Sequence, residues 1–254
     1  MAYIVACYKS VIDENDVAVA ANGSVSLKGA SRKISDYEKS ILGAGGQLAA
    51  ASGDTLACLT FGTDACLPQV KDALSRGPAE AFSVIDEAAE NADAKLTADA
   101  LCGAVEKIGD VHAVVCGDGS SDVYQKQTGP RMAALLDWPF VGNAVSAEVV
   151  GDGFKVAQKI DGAIRIVTVK APCVISALPE ICQPKTPGMR DILAAKKKPA
   201  TQWTLADLNV AACTAVEVDE LRGFVMERKN VMLEGSASEA ATELVDALKK
   251  EGIL

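Results

Sequence analysis

Apolar and polar positions alternate regularly through the first 140 residues of the chain. Short apolar runs predict buried strands at about residues 2–8, 54–62, 81–86 and 111–117. Helical periodicity predicts helices at about residues 36–51, 66–75, 97–108 and 125–137. The capping groups expected for these helices are Ser35 or Asp36, Thr97 and a Gly-Asp-Gly-Ser-Ser-Asp loop. This alternation is typical of βαβ units around a buried parallel sheet.

The pattern changes at Val141, where three β-rich runs follow one another: VGNAVSAEVV, FKVAQKI and AIRIVTV. They are separated by Gly151-Asp152-Gly153 and Asp161-Gly162, and Asp-Gly between such runs is a strong hairpin signal. We therefore expect an antiparallel extension, which either adds to the sheet or forms a small lobe. The predicted fold class is α/β, a Rossmann-like parallel-sheet domain with an antiparallel hairpin extension.

The C-terminal third predicts two further segments, at residues 179–202 and 203–254, after a main domain at 1–178. The first holds a proline-rich loop and a short helix, MRDILAAKKK. In the second, residues 203–234 carry few helix signals, and Ser236 opens an amphipathic helix that runs to Lys250. Such a weakly cored C-terminal arm either wraps around a partner or docks on its own domain.

Composition excludes several classes of protein. The net charge is −9 and only 4% of the residues are aromatic, which speaks against nucleic-acid binding. No apolar run approaches the roughly 20 residues that span a bilayer, so we expect no direct membrane insertion.

The eight cysteines contain no Cys-x-x-Cys pair, so we expect core packing for most of them and no metal site. Unpatterned thiols, with no signal peptide before Tyr3, favour a reducing cytoplasm. The single histidine, His112, stands at the start of a strand, where a structural role is expected. No Ser/His/Asp or Cys/His arrangement is available, and no catalytic residue is assigned.

The segment VVCGDGSSDVYQKQTGPRMAALL, residues 114–136, predicts a strand, a glycine-rich loop and a helix, which together suit a phosphate. Ser120, Ser121 and Thr128 add hydroxyl donors. Asp118 and Asp122 count against direct phosphate contact but can accept from a ribose hydroxyl or cap the helix. The loop is neither a Walker P-loop nor a G-x-G-x-x-G fingerprint, so an ordinary βα turn is the alternative.

Longer motifs carry a resemblance to a known family. CGDGSSDVYQKQTGPRMAALLDWP, YKSVIDENDVAVAANGSVSL, KISDYEKSILGAGGQLAA and QKIDGAIRIVTVKAPCVISAL together resemble the β subunit of an electron transfer flavoprotein. CYK at residues 7–9, SRGP at residues 75–78 and the CGDGSSD loop are most similar to the FixA branch. The resemblance covers essentially the whole chain.

The resemblance implies a heterodimer whose α subunit holds the redox FAD, while this chain binds AMP or a second FAD. It places that nucleotide against Cys7, Ser35, Asp36, Tyr37, Phe61, Gly117, Asp118, Gly119, Ser120, Ser121, Asp122, Val123, Tyr124, Gln125, Lys126, Gln127 and Thr128. It also implies that the helix after the hairpins docks on a flavin dehydrogenase of the acyl-CoA dehydrogenase type through Met189, Ile192 and Leu193.

The chain departs from the family pattern at two places in this site. Ser35-Asp36-Tyr37 replaces an Asn-Pro-Phe type stretch, and residues 122–126 replace a more acidic or glycine-containing segment. There the bulky Val123 and Tyr124 either crowd a flavin ring, or Tyr124 stacks on it. AMP and FAD therefore both remain open. Glu14 also stands where the vertebrate-type subunit has a tyrosine, so contact with the partner's flavin is expected to differ.

Three functions are compatible with these motifs and with the resemblance. The first is an electron carrier, not a stand-alone enzyme, which accepts electrons from the dehydrogenase and passes them on through FAD. The second is a subunit of an electron-bifurcating flavoprotein that carries its own FAD and oxidises NADH. The third is a nucleotide-binding regulatory module of the universal-stress type, which would lack the hairpins and the long arm.

Overall fold

A computed structural model describes residues 2–224 and 229–254 of the chain. The helices are α1 (Asp36–Ser52), α2 (Leu67–Ser75), α3 (Ala94–Ile108), α4 (Thr128–Leu136), α5 (Met189–Ala195) and α6 (Ala237–Lys250). The strands are β1 (Tyr3–Cys7), β2 (Ser10–Ile12), β3 (Ala18–Val19), β4 (Val25–Ser26), β5 (Arg32–Ile34), β6 (Thr55–Gly62), β7 (Glu80–Ile85), β8 (Val111–Gly117), β9 (Phe140–Val150), β10 (Gly153–Ile160), β11 (Ala163–Lys170), β12 (Cys173–Ala177) and β13 (Ala200–Trp203).

Nine of these strands form one mixed sheet, in the order β11-β10-β9-β12-β8-β1-β6-β7-β13. Along this spatial order, every neighbouring pair in the part β9-β12-β8-β1-β6-β7-β13 is parallel. Strand β10 pairs antiparallel with both β9 and β11. The predicted α/β class with a hairpin extension is confirmed. The hairpins continue the central sheet, so the alternative of a separate small lobe is wrong.

The central strands are buried on both faces, and their sequences are therefore continuous hydrophobic runs. Ile4 and Ala6 of β1 face a core that includes Ile41 and Leu42 of α1. On the opposite face, Val5 belongs to a second core that includes residues of α3 and α4. Successive side chains of β1 therefore pack alternately into two separate cores.

Two helices begin at other residues than the sequence predicts. Asp93 caps α3, because its carboxylate accepts a hydrogen bond from the backbone N–H of Leu96 at 2.8 Å, so Thr97 is not the cap. Helix α4 starts at Thr128 instead of near residue 125. Tyr124 and Lys126 adopt positive φ values of 46° and 58°, which a right-handed helix does not allow.

Strand β13 is an element that the sequence did not predict. It adds to the sheet beside β7, and the ring of Trp203 stacks on that of Phe82 at a centroid distance of 5.2 Å. Leu205, just beyond the strand, is buried. The start of the expected C-terminal arm thus packs on the main sheet.

The described residues form two compact units. The larger contains residues 2–18 and 26–221, and the smaller contains residues 19–25, 222–224 and 229–254. Residues 225–228 of the predicted arm lie outside the described residues.

The smaller unit contains the amphipathic helix α6. Ser236 caps it as predicted, in a reciprocal capping box with Glu239. Leu244 and Val245 on its apolar side are exposed, and no residue of α6 is buried. Across the described residues, every helix is too short or too polar to cross a bilayer.

Candidate functional site

The order of the central strands places a crevice between β1 and β8. From β1 the chain proceeds outward through β6 and β7, and it then returns to the opposite side of β1 to form β8. In open α/β sheets, ligands bind at such a reversal, beyond the carboxyl ends of the strands. Here β1 ends at Cys7 and β8 ends at Gly117, the first residue of the predicted phosphate loop.

The loop that follows β8 reaches the start of α1. The backbone N–H of Ser121 donates to Oγ of Ser35 at 3.1 Å, and Ser35 is the N-cap residue of α1. The backbone N–H of Asp118 donates to the carbonyl of Ala177 in β12 at 2.9 Å. The first N–H groups of a helix have no partner within it, so α1 directs donors toward this crevice.

Two aromatic rings meet over the loop. Tyr37, in the first turn of α1, and Tyr124 lie edge to face, with ring centroids 5.5 Å apart. The ring of Tyr124 also covers Gly119, where an added Cβ would lie only 2.9 Å from Tyr124 Cγ. Glycine at 119 is therefore required for the position of this ring.

Two lysines neutralise the carboxylates of the loop. Lys9 Nζ lies 2.6 Å from Oδ2 of Asp122, and Lys126 Nζ lies 2.9 Å from Oδ2 of Asp118. Burial alone would raise the pKa of Asp122, but the Lys9 ammonium and hydrogen bonds outweigh it and lower that pKa. These aspartates therefore repel a phosphate less strongly than free carboxylates would, because each one has a lysine ammonium group beside it.

Asp36 is held in ion pairs at the start of α1. Lys39 Nζ lies 2.5 Å from one carboxylate oxygen and Lys33 Nζ lies 3.1 Å from the other. The hydrogen bond from Lys39 is the main cause of the lowered pKa of Asp36. Lys33 also pairs with Glu14 at 2.8 Å. Glu14, which stands where the vertebrate-type subunit has a tyrosine, is therefore held near the start of α1.

Glu38 is a buried carboxyl beneath the crevice, and only 8% of the residue is exposed. Burial raises its pKa to about 8, against hydrogen bonds from Ser35 and the backbone of Lys9 that act to lower it. Its Oε2 atom has no hydrogen-bond partner. Gly117 makes room for it, because a Cβ there would lie 3.1 Å from Glu38 Cγ.

Other predicted site residues lie in different surroundings. Cys7 places its thiol in the second apolar core, where burial raises the thiol pKa, and Phe61 packs against the same core. Val123 is 60% exposed, and Gln125 and Gln127 are also exposed. In the remaining part of the loop, Ser120 donates a hydrogen bond to Asp122, and Thr128 is the first residue of α4.

The chemistry that this arrangement supports is binding. Lysine ammonium groups, serine hydroxyls and the start of α1 suit an anionic group, and the two tyrosine rings suit a planar ring system. An anionic group at this edge of the sheet can share the Lys9 and Lys126 ammonium groups with Asp122 and Asp118.

Sequence reasoning missed Lys9 and Glu38 as site residues. The position of Lys9 in the CYK motif was the only available signal. Glu38 looked like an ordinary residue of the first helical turn, where glutamate is common.

Helix α5 presents the predicted recognition residues to solvent. Met189 is 73% exposed, Ile192 is 45% exposed and Leu193 is 54% exposed. Large apolar side chains grouped in this way are a feature of surfaces that bind other proteins.

His112 and the cysteines lie apart from any reactive arrangement. The Nδ1 atom of His112 is 2.9 Å from Oδ2 of Asp54, which joins β8 to the turn before β6. All eight cysteines are free, and six of them are buried, as the apolar runs around them predicted.

A nine-stranded, mostly parallel sheet with helices on both faces defines an α/β protein of the Rossmann-like type. Comparison with known families gives a match to the electron transfer flavoprotein domain over residues 24–208. The chain belongs to this family, and its role is of the electron transfer flavoprotein type.

Proposed function

We propose that the chain is the β subunit of a heterodimeric electron transfer flavoprotein of the FixA-like branch. The segments that meet at the reversal of the sheet, namely Lys9, the start of α1 and residues 117–128, are called the switch-point loops, and they bind AMP or a second FAD. The observation that carries this proposal is the convergence of Lys9, the start of α1 and the loop at residues 117–128 at one crevice, in a chain of this family. The role is that of an electron carrier, in which the FAD supplies the redox chemistry and the protein fixes its surroundings.

The loop geometry supports an adenine nucleotide as the ligand. The ammonium groups of Lys9 and Lys126 provide charge for phosphate, and Tyr37 and Tyr124 provide aromatic surface for a ring. Tyr124 is 41% exposed, so its ring can turn toward a ligand without disturbing the core.

Two exposed apolar surfaces support protein partners. The exposed apolar side of α6, with Leu244 and Val245, packs on the α subunit. In this proposal α6 belongs to a C-terminal arm that wraps around that subunit. The apolar side of α5, anchored by Met189, suits the flavin dehydrogenase.

The experiment that tests the function is reduction of the bound flavin in the co-expressed heterodimer, without oxygen. A carrier accepts two electrons from the reduced flavin of an acyl-CoA dehydrogenase supplied with acyl-CoA, and its flavin absorbance bleaches. NADH alone should have no effect. Bleaching by NADH alone would favour the bifurcating alternative, whereas failure of both reductants would contradict an electron-transfer role.

Met189→Ala tests the recognition surface in the same assay. Loss of an exposed anchor should slow reduction by the dehydrogenase about tenfold and leave the nucleotide content unchanged. Val150→Ala is the matched control, because Val150 is 47% exposed on the hairpin extension. Equal rates for the two variants would argue against docking through α5.

A further inference from the structure

Glu38 lies where the three segments that border the crevice meet. The Ser35 hydroxyl at the start of α1 and the backbone N–H of Lys9 after β1 lie close enough to its carboxyl to act against the rise of its pKa. Its side chain also packs against Gly117 at the end of β8. One buried carboxyl thus touches all three segments.

The same two residues hold the loop at residues 117–128. Ser35 Oγ, beside the Glu38 carboxyl, accepts the hydrogen bond from the N–H of Ser121. Lys9, whose backbone N–H is also beside that carboxyl, pairs with Asp122 through its side chain. Both of these polar contacts between the loop and α1 or Lys9 therefore involve a residue beside Glu38.

The charges around Glu38 do not balance an ionised carboxylate. The nearby cation is the ammonium of Lys9, which is engaged by the carboxylate of Asp122. The other titratable groups that face Glu38 are the thiols of Cys7 in β1 and Cys116 in β8. Burial raises both thiol pKa values, that of Cys116 to about 12, so these thiols stay uncharged near neutral pH.

An ionised Glu38 would need a donor for Oε2, which has no partner in the closed loop. Water does not reach that atom in this arrangement, because the atom is buried, so ionisation favours any opening that hydrates it. A second negative charge would also compete with Asp122 for Lys9 and would repel phosphate.

We propose that Glu38 is a positioning residue whose uncharged carboxyl keeps residues 117–128 closed on the start of α1, and whose ionisation releases this loop and weakens the binding of an anionic nucleotide. The second half of this inference rests on the proposed function. The first half concerns the chain alone.

Amide hydrogen exchange of residues 118–127 tests the loop without any nucleotide. With exchange rates corrected for their intrinsic pH dependence, protection in the wild-type chain should fall about 30-fold between about pH 6.5 and about pH 9. The reason is that opening becomes about tenfold easier per pH unit until Glu38 ionises in the closed form at about pH 8.

Glu38→Gln should keep its loop protection across this range, since glutamine does not titrate. Glu106→Gln, at an exposed position of α3, is the matched control and should behave as the wild type. Protection in the wild type that does not change with pH would overturn the proposal. So would the same loss of protection with pH in Glu38→Gln.

Binding of AMP, measured by calorimetry at the same two pH values, separates this proposal from the proposed function. Affinity should fall with pH in the wild type and stay level in Glu38→Gln. Equal AMP affinity at both pH values in the wild type would refute the linkage while leaving nucleotide binding intact. If neither AMP nor FAD bound at either pH, the proposed function would fail, and the exchange data alone would decide the role of Glu38 in the loop.

Discussion

Replacement of Glu38 by glutamine should make the protein more stable, and increasingly so as the pH rises. The pKa of Glu38 is about 8 in the folded protein, against an ordinary value of 4.5. Between these two pH values the folded chain holds a proton that the unfolded chain has lost. The free energy of unfolding therefore falls as the pH rises, by about 1.4 kcal/mol per unit.

The size of the effect follows from the interval between the two pKa values. The difference from 4.5 to about 8 is about 3.5 units, which corresponds to about 5 kcal/mol. This figure is a ceiling, because any opening of the loop that hydrates the carboxylate reduces the penalty. Above pH 8 the penalty no longer grows, since Glu38 is then ionised in both states.

Urea unfolding followed by tryptophan fluorescence measures this effect in the larger unit, which contains both Trp138 and Trp203. From about pH 5 to about pH 8, the stability of Glu38→Gln relative to the wild type should rise by up to about 4 kcal/mol. The Glu106→Gln control should show no such rise. A constant difference between Glu38→Gln and the wild type at every pH would refute the reasoning.

Three further predictions concern the loop, the sheet edge and the arm. Gly119→Ala should displace the Tyr124 ring and weaken AMP binding about tenfold in calorimetry, whereas Gly46→Ala in α1 should not, because its added Cβ meets only Leu56 at 3.6 Å. Equal affinities would contradict the role of the ring. Trp203→Ala should lower stability in urea by about 3 kcal/mol, and Trp203→Phe by less than half as much, because phenylalanine can still stack on Phe82. Similar losses would show that stacking is not the cause. Truncation after residue 221 should keep the main sheet folded by circular dichroism and abolish co-purification with the α subunit, and retention of the partner would rule out the wrapping arm.

The sequence predicted most of the fold because its elements have strong local signals. Buried parallel strands such as β1 and β8 are continuous apolar runs, and Asp-Gly pairs mark both hairpin turns. Strand β13 was missed because its four residues, Ala-Thr-Gln-Trp, are mostly exposed and carry no alternation. Its position depends on pairing with β7, which no local pattern encodes.

The site residues stay a prediction, and they were reached by two routes. The local signature of the glycine-rich loop indicated Ser121, and the family resemblance indicated Tyr124. Lys9 acts on Asp122, a residue 113 positions away, and its role is visible only when the strands are side by side. Glu38 gains its raised pKa from burial, which is a property of packing and not of composition.

The most direct test of nucleotide binding by the switch-point loops is the nucleotide content of the purified heterodimer. Co-expression with an α subunit, denaturation and chromatography of the released nucleotides should give about two nucleotides per heterodimer, one of them FAD and the other AMP or FAD. One FAD with AMP would identify a simple carrier, and two FAD would place a second flavin in this chain. A heterodimer with a single FAD and no second nucleotide would contradict the claim that the switch-point loops bind one.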